Sequence, residues 1–168
     1  MIKIGRSNGM RVICLLTNMD IPLGNNIGNS LEVLEALNLL YYNYDNDLMR
    51  LCVELASYMV CLGLNVSYDI AKKRVLSSIE DRSSYNKFLQ FVKGQNGDIN
   101  SLPRSRHEYY VLSDREGYLT YLDSLELAKL SNRLGAGRKS KDDVIDYSAG
   151  IVINKNMVFF SKNRSPEQ

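Results

Sequence analysis

One apolar run near the N-terminus constrains the fold of this 168-residue chain more than any other feature. Residues 11–16 read Arg-Val-Ile-Cys-Leu-Leu without polar alternation, which is typical of a strand covered on both faces, as in a parallel sheet. Such a strand needs neighbours, yet no second run of that kind occurs in the following roughly 80 residues. We therefore expect either that the strand pairs with the C-terminal region, or that the rest of its sheet lies in sequence that this chain does not contain.

The composition allows a folded core and gives no general attraction to polyanions. Hydrophobic residues make up 45% of the chain, which is enough for one ordinary core or two small ones. Lysine and arginine number 21 against 19 aspartates and glutamates, a balance that favours neither nucleic acid nor anionic lipid as a partner. The longest apolar stretch, Val12–Leu16, is far shorter than the roughly 20 residues of a membrane span, and the N-terminus lacks a signal-peptide pattern. We expect a soluble, cytoplasmic protein with no membrane or nucleic-acid partner.

Cysteine and histidine are too few to indicate a metal knuckle or a catalytic triad. Cys14, Cys52 and Cys61 show no C-x-x-C spacing, and His107 is the single histidine, which excludes a zinc knuckle and argues against a disulfide scaffold. Each cysteine lies in an apolar run, so we predict three buried thiols; a cysteine–histidine nucleophilic pair is the alternative. No Ser/His/Asp spacing supports a self-contained catalytic triad.

A loop rich in Pro, Gly and Asn follows the apolar run and leads into a series of helices. Residues 17–28 hold this loop, whose composition is typical of irregular backbone between a strand and a helix. Asn29 is the predicted N-cap of the first long helix, with Glu32 at the third helical position, as in a capping box. Apolar residues then recur at three-and-four spacing in three more predicted helices, the first capped by Asp47 and ended by Gly63. Their spans are 47–63, 70–79 and 85–92.

The pattern changes in the C-terminal part of the chain to short strands around one helix. Residues 97–103 read as a linker. Asp123 with Glu126 forms a second capping-box pattern, and the helix that it begins ends at Gly135. This half is predicted to be a small α+β module. Its predicted strands are 107–112 and 118–122, flanking a turn at 114–117, and 151–153 and 157–160, joined as a hairpin over 154–156.

Two motifs carry a resemblance to a known family. Residues 17–24, Thr-Asn-Met-Asp-Ile-Pro-Leu-Gly, continued by 27–36, resemble the stretch that follows the central sheet in thymidine and pyrimidine-nucleoside phosphorylases, usually T/S-D-M-x-Q-P-L-G and then G-N-A-L-E-V-x-E-A. Residues 134–138 and 143–151 resemble the family's G-A-G-R and D-x-I-D-x-x-x-G-I segments, in the same order and at the same distance. The resemblance covers nearly the whole chain, weakens after about Asn154, and corresponds only to the later part of a family member.

The resemblance implies an α/β plus α+β fold. Family members have a helical domain and a larger α/β domain facing each other across a cleft, with a C-terminal α+β domain attached. In this chain, residues 1–98 would be the helical and sheet remnant of the central α/β domain. Residues 99–168 would be the small C-terminal α+β domain, truncated at its end because the chain stops where family members continue with a further hairpin and helix.

The resemblance also implies a reaction and its partners. In the family, inorganic phosphate attacks the anomeric carbon of a pyrimidine nucleoside, releasing the free base and a pentose 1-phosphate. The segments that grip phosphate and pyrimidine precede the point where this chain starts, so no catalytic or substrate-binding residue is carried over. The implied partners are therefore the pyrimidine nucleoside, phosphate as co-substrate, the missing N-terminal segment and, for the full-length family, a second copy in a homodimer.

A cation site is the part of the machinery that the resemblance does carry over. In bacterial members a potassium ion near the hinge is held by two main-chain carbonyls and a glutamate, and the matching positions are Leu23, Asn26 and Glu35. Oxygen ligands suit a hard cation, and a carbonyl serves whatever its side chain. The remaining ligands would come from the missing glycine-rich phosphate loop. The alternative is that Glu35 is a solvated helix residue, and that Leu23 and Asn26 are ordinary loop positions.

Three functions stay open at this stage. The chain is part of a pyrimidine-nucleoside phosphorylase that needs the missing segment, a non-catalytic remnant acting as a structural or interaction domain, or a small RNA-binding module. The third would use a basic patch that Asp142 and Asp143 offset, so a solvated face is the simpler interpretation. The aromatic run Tyr41, Tyr42 and Tyr44 has no adjacent basic residue, which favours packing over base stacking. The basic patch consists of Lys129, Arg133, Arg138, Lys139 and Lys141.

Overall fold

The computed structural model describes residues 1–113, 118–138 and 140–154, and within them the chain is mostly helical. A single two-stranded antiparallel sheet in these ranges pairs β1 with β2, Asn26 opposite Val152 and Ile27 opposite Ile151. The helix α6 continues into a wider turn over Asn132–Ala136, and Ile99–Ser101 forms a short 3-10 turn. The elements are α1 Ile2–Ser7, β1 Asn26–Ile27, α2 Asn29–Tyr42, α3 Asp47–Leu64, α4 Tyr68–Glu80, α5 Ser83–Gly94, α6 Ser124–Ser131 and β2 Ile151–Val152.

The chain divides into two compact units. The first combines Met1–Asn18 with Ala36–Ile99, and the second combines Met19–Glu35 with the residues from Asn100 onward. The first unit ends at Ile99, and the loop before α2 groups with the C-terminal half. The division of the chain into two domains at residue 98 stays a prediction. The antiparallel strand pair and α6 in the second unit are consistent with a small C-terminal α+β domain. The assignment of residues 1–98 to a central α/β domain stays a prediction.

The core of the first unit lies between α3 and α4. Buried side chains recur at a spacing of four on each helix, so that one stripe of α3 faces one stripe of α4. Burying each large apolar side chain stabilises the fold by about 1.5 to 3 kcal/mol. Among the described residues, no single helix has both the length and the hydropathy of a membrane span. The core residues are Leu39, Met49, Val53, Val75 and Ile79.

The four long helices of the first 98 residues are confirmed, but both predicted caps of α3 are displaced, the N-terminal one by one residue and the C-terminal one by two. The side chain of Asn46, and not that of Asp47, accepts the Met49 amide at 2.8 Å, and α3 passes Gly63 to end at Asn65 in the left-handed conformation. Two equally suitable cap residues stand side by side here, and composition does not choose between them. The predicted N-cap of α6 is correct, because the Asp123 carboxylate accepts the amides of the first helical turn. The predicted end at Gly135 is wrong for α6, which ends at Ser131, and Gly135 lies in the wider turn that follows.

The strand predicted at residues 11–16 is wrong. This segment is irregular, Cys14 is exposed, and the Leu16 side chain is fully exposed. Arg11 is nevertheless fixed, because its guanidinium donates to Asn65 Oδ1 at 2.7 Å and to the Leu62 carbonyl. A strand exists only where a neighbour satisfies its backbone groups, and the described residues offer this run no such neighbour.

The strands predicted at 107–112 and 118–122 are also wrong. In the described part of the chain neither segment forms a strand, although Tyr118 makes a single bridge, and Tyr109 and Val111 are about nine-tenths exposed. The tyrosines and branched residues that favour strands stabilise one only against a cross-strand partner. The prediction for 151–153 is confirmed over Ile151–Val152, but its partner is β1. The predicted turn at 114–117, the strand at 157–160 and most of the hairpin turn before it lie outside the described residues.

The prediction of three buried thiols is wrong as well. Cys14 and Cys52 are exposed, and Cys61 is half-buried with its thiol 3.0 Å from the Val66 carbonyl, to which it donates. Cys14 lies in the unpaired segment just described. Cys52 lies outside the buried stripe by which α3 packs. An apolar run in the sequence therefore indicates burial only where the element that it builds has a partner to pack against.

Candidate functional site

The side chain of Glu35 folds back from α2 onto the loop that precedes the helix. Its Oε1 accepts the Asn25 amide at 2.8 Å, and its Oε2 accepts the Asn26 amide at 3.1 Å. Glu35 is half-buried, so it is not merely a solvated helix residue. Hydrogen bonds to a charged carboxylate are stronger than those between neutral groups. The structure thus brings two of the three predicted cation ligands, Asn26 and Glu35, into direct contact.

Gly24 makes this close approach possible. A Cβ atom at position 24 would lie 2.5 Å from Glu35 Oε2, inside the contact distance of any side chain. Leu23, the third predicted ligand, directly precedes this glycine and is 43% exposed. The glycine of the first motif's Pro-Leu-Gly sequence therefore lies against the carboxylate of the helix that follows it. The Asn26 side chain is used structurally, because its amide donates to the Leu31 carbonyl at 2.9 Å.

The start of α2 is capped by Glu32 and Gly28. The Gly28 amide donates to Glu32 Oε1 at 3.0 Å, and the Glu32 amide donates to the Gly28 carbonyl at 2.9 Å. The predicted capping box is therefore wrong in its register: Glu32 accepts the amide of Gly28 and not that of Asn29, and glycine has no side chain to complete the box. Asn29 instead donates its side-chain amide to the Ala136 carbonyl at 2.7 Å, which links it to the second motif.

Two glycines allow the first and second motifs to touch backbone to backbone. Gly28 has φ +147°, and a Cβ atom there would lie 2.5 Å from the Ala149 carbonyl oxygen. A Cβ atom on Gly150 would overlap the Ile27 carbonyl oxygen and lie 2.7 Å from Leu31 Cδ1. Neither position has room for a side chain, so both glycines are required by packing. The pairing of β1 with β2 occurs at this point of contact.

The second motif forms a turn that holds the first helical residues. The Ser30 amide donates to the Tyr147 carbonyl at 3.2 Å, and the Asp146 amide donates to the Gly135 carbonyl at 2.9 Å. The Asp146 carboxylate accepts the hydroxyl and the amide of Ser148, and these hydrogen bonds hold the pKa of Asp146 below its usual value. The G-A-G-R and D-x-I-D-x-x-x-G-I segments therefore act as one structural unit around the beginning of α2.

The start of α6 is tied to the same loop. The Asp123 carboxylate accepts the amides of Leu125 at 2.8 Å and Glu126 at 3.0 Å, and the Ser124 amide donates to the Asp20 carbonyl at 3.2 Å. The Glu126 amide, followed by the Tyr121 hydroxyl, keeps the pKa of Asp123 low. Asp20 belongs to the first motif, so this motif contacts α6 as well as the second motif.

In the part of the chain that the structure describes, Glu35 has no cationic side-chain partner. Within residues 1–113, 118–138 and 140–154, none of the ion pairs includes Glu35. Lys129 of the predicted basic patch pairs with Glu126 at 2.7 Å, which reduces the charge that this patch could offer to RNA. Lys139 lies outside the described residues. No cluster of three or more His, Cys, Asp or Glu side chains that could hold a metal occurs in the described part of the chain. A cation here would rely on one carboxylate and on carbonyl oxygens.

Comparison with known proteins assigns the family. The family model of the pyrimidine nucleoside phosphorylase C-terminal domain matches residues 118–157. The pyrimidine-nucleoside phosphorylase of Staphylococcus epidermidis is 36% identical to this chain over 164 residues. The thymidine phosphorylase of Metamycoplasma hominis is 31% identical over 163 residues. The chain belongs to the pyrimidine-nucleoside phosphorylase family.

The match to these phosphorylases covers almost all of this chain but only part of each relative. It includes 94% of this chain and 38% of the Staphylococcus epidermidis protein, and 93% of this chain and 60% of the Metamycoplasma hominis protein. The pyrimidine-nucleoside phosphorylase of Staphylococcus aureus is 34% identical, with the same 94% and 38% coverage. The chain corresponds to the C-terminal part of the full-length phosphorylases. The recognition made from the two motifs is thereby confirmed.

The sequence interpretation missed the residues that fix the Glu35 carboxylate in this chain. Gly24, Gly28 and Gly150 all lie within the quoted motifs, but the contacts that require them were not assigned. Asn25 was missed because its contribution comes from the backbone, which leaves no trace in residue type. The available signal was the presence of glycines at fixed places in both motifs, since glycine is the residue that permits close approach of two backbones.

Proposed function

We propose that this chain is the C-terminal part of a phosphorylase that splits pyrimidine nucleosides, and that it supplies scaffold and part of a potassium site. The observation that carries the proposal is the contact of the Glu35 carboxylate with the Asn25 and Asn26 amides. This contact joins the two parts of the first family motif in one place. Membership of the phosphorylase family supports the same interpretation.

In the proposed reaction, inorganic phosphate attacks the anomeric carbon of thymidine or uridine. The bond to the base breaks, and the products are the free base and a pentose 1-phosphate. The work of such an enzyme is to position the two reactants and to stabilise the charge that develops on the sugar. The groups that would grip phosphate and pyrimidine come from the preceding part of the family chain. This chain would therefore hold the C-terminal side of the assembly in place and provide no reacting group.

The oxygen atoms proposed as ligands are of the kind that potassium binds. Its members would be the carbonyl oxygens of Leu23 and Asn26 and the carboxylate of Glu35, all of them hard oxygen ligands. The amides of Asn25 and Asn26 use one acceptor position on each carboxylate oxygen, and a carboxylate has about four such positions. The ion would supply a fixed positive charge at which the loop before α2 and the phosphate-holding loop of the other segment meet.

A complementation assay tests the proposal. The chain is mixed with the part of the Staphylococcus epidermidis phosphorylase that precedes the matched region, and release of thymine or uracil is followed with and without phosphate. We expect phosphate-dependent turnover in the mixture and none from either component alone. We also expect that replacing KCl by NaCl, or using the variant Glu35→Ala, lowers the turnover.

The outcomes separate the candidate functions. No turnover in a mixture whose components co-elute on size exclusion would favour the alternative function, a non-catalytic structural or interaction domain. If turnover is the same in KCl and NaCl and does not change in Glu35→Ala, the result would support the phosphorylase role and contradict the potassium site. The same elution profile reports whether the assembly is the homodimer expected for the family.

A further inference from the structure

We infer that Gly150 is a positioning residue for Glu35, acting through the backbone of Asn25. The inference rests on the proposed potassium site, in which Glu35 is the carboxylate ligand. Gly150 has no side chain that could contact an ion. Its effect would be transmitted along a short chain of backbone contacts from the second family motif to the loop at residues 23–26.

The first link is the peptide backbone of Asn25, which is held on both sides. Its amide donates to Glu35 Oε1 at 2.8 Å, and its carbonyl accepts the amide of Ile153 at 2.7 Å. The same residue therefore contacts the carboxylate and the C-terminal segment. A shift of Ile153 relative to the loop would move the amide that orients the carboxylate.

The second link is the register between β1 and β2, which Gly150 controls. Gly150 directly precedes β2, and a Cβ atom there would overlap the Ile27 carbonyl oxygen and approach Gly28 Cα to 3.1 Å. These obstacles are backbone atoms of β1 and of the residue that follows it, so they cannot rotate out of the way as a side chain could. Adding a methyl group at position 150 would force the two strands apart.

The consequence for Glu35 follows from hydrogen-bond geometry. The Asn26 amide already lies 3.1 Å from Oε2, close to the upper end of the ordinary range for such bonds. Separation of the strands by even half an ångström would weaken this bond and the bond from Asn25. The carboxylate would then lose the two contacts that hold it over the loop. Residues that support a metal ligand in this way typically change metal affinity by about 10 to 100-fold when they are replaced.

The test compares Gly150→Ala with Gly63→Ala in the full chain. Gly63 is the matched control because a Cβ atom there meets nothing within 4 Å. The amide resonances of Asn25 and Asn26 are followed while KCl replaces NaCl at constant ionic strength, and their hydrogen-exchange rates are measured without potassium. We expect Gly150→Ala to weaken the apparent potassium affinity by at least about tenfold and to speed the exchange of both amides, with no change in Gly63→Ala.

The outcomes distinguish this inference from the proposed function. If the wild-type amides respond to potassium and Gly150→Ala titrates with the same midpoint, the positioning role is overturned and the cation site stands. If potassium leaves the wild-type amides unchanged even in the mixture with the preceding part of the phosphorylase, which would carry the remaining ligands, the cation site fails. The exchange rates then decide the positioning role: faster exchange of the Asn25 and Asn26 amides in Gly150→Ala supports it, and unchanged exchange overturns it.

A measurement without substitution covers the case in which Gly150→Ala does not fold. Native-state hydrogen exchange of the wild-type chain is recorded at increasing urea below the unfolding transition. We expect the amides of Ile153, Asn25 and Asn26 to open with one common free energy and one common urea dependence, as members of a single cooperative unit. Exchange of Ile153 at urea concentrations that leave Asn25 protected would overturn the inference.

Discussion

Gly24 and Glu35 are so close that a methyl group at position 24 would lie 2.5 Å from the carboxylate oxygen Oε2. The obstacle is the end of a flexible side chain, so the carboxylate can move aside while the backbone stays in place. Gly150 differs, since its obstacles include the backbone of residues 27 and 28. The absence of a side chain at Gly24 therefore leaves room for the Glu35 carboxylate, and its absence at Gly150 leaves room for the backbone of residues 27 and 28.

Gly24→Ala is predicted to displace the Glu35 carboxylate at a small cost in stability. The chain would lose the hydrogen bonds to Asn25 and Asn26, each worth about 0.5 to 1.5 kcal/mol. We expect a lower urea midpoint and faster exchange of both amides, with a smaller loss of stability than in Gly150→Ala. Gly94→Ala is the control, because its Cβ would meet nothing within 4 Å. A larger loss of stability in Gly24→Ala than in Gly150→Ala would contradict this assignment of the obstacles.

Glu35→Gln is predicted to be less stable than the wild type and more stable than Glu35→Ala. Glutamine keeps one oxygen that can accept an amide, but its NH2 group would face the second amide as donor against donor. We expect Glu35→Gln to lose about 1 kcal/mol of unfolding free energy, measured by urea denaturation. Equal stability of Glu35→Gln and wild type would show that only one of the two amide contacts contributes.

Asn46→Ala is predicted to destabilise α3 more than Asp47→Ala does. The structure assigns the cap to Asn46, whose side chain accepts the Met49 amide, and losing such a cap costs about 1 kcal/mol. Asp47 lies in the first turn, where its charge favours the helix dipole by a few tenths of a kcal/mol. Thermal unfolding of the two single variants measures the difference. A larger loss of stability in Asp47→Ala than in Asn46→Ala would show that Asp47 is the N-cap of α3, as the sequence predicts.

The stability of the chain is predicted to fall as the pH falls below about 4. Asp123 and Asp146 both have a pKa below the ordinary value of 3.8 in the folded chain, because amides and hydroxyls donate to their carboxylates. The unfolded state then binds more protons than the folded state in this range. The contribution of these groups is therefore present above the unfolded pKa and lost as the pH falls through the folded one.

Urea midpoints at pH 6 and pH 3 check this prediction. The double variant Asp123→Asn, Asp146→Asn should show a smaller decrease between the two pH values than the wild type does. Asp142→Asn removes one negative charge beside the second motif and serves as the control for each of the two single variants, Asp123→Asn and Asp146→Asn. A decrease in the double variant as large as that of the wild type would mean that these two carboxylates do not link folding to pH.

The sequence predicted helices far better than strands, for a physical reason. A helix satisfies its backbone groups within its own segment, so the spacing of residues such as Met49 and Val53 is sufficient to place it. A strand is defined by its partner, and residues 11–16 and 107–112 have the composition of strands without a neighbour in the described chain. The one confirmed strand, Ile151–Val152, pairs with a two-residue segment that no propensity would select.

The candidate site was predictable only through family resemblance. Leu23, Asn26 and Glu35 have no periodicity or spacing that marks them as ligands, and two of the three would contribute backbone carbonyls. Motif order placed them in one region, in which the structure has the Asn26 amide donating to the Glu35 carboxylate. The role of Asn25 depends on how residues 25 and 153 meet in the folded chain, which residue type does not encode.

The pairing of Asn26 with Val152 also determines when this region can form during synthesis. Contacts between residues so far apart in sequence are made late, because a long loop must close before they bring any gain. The α3–α4 pair, with its partners close in sequence, can fold while the ribosome is still adding residues. The turn around Glu35 must wait until residue 153 has emerged, so a nascent chain arrested before that point would hold a folded helical pair and no formed turn around Glu35.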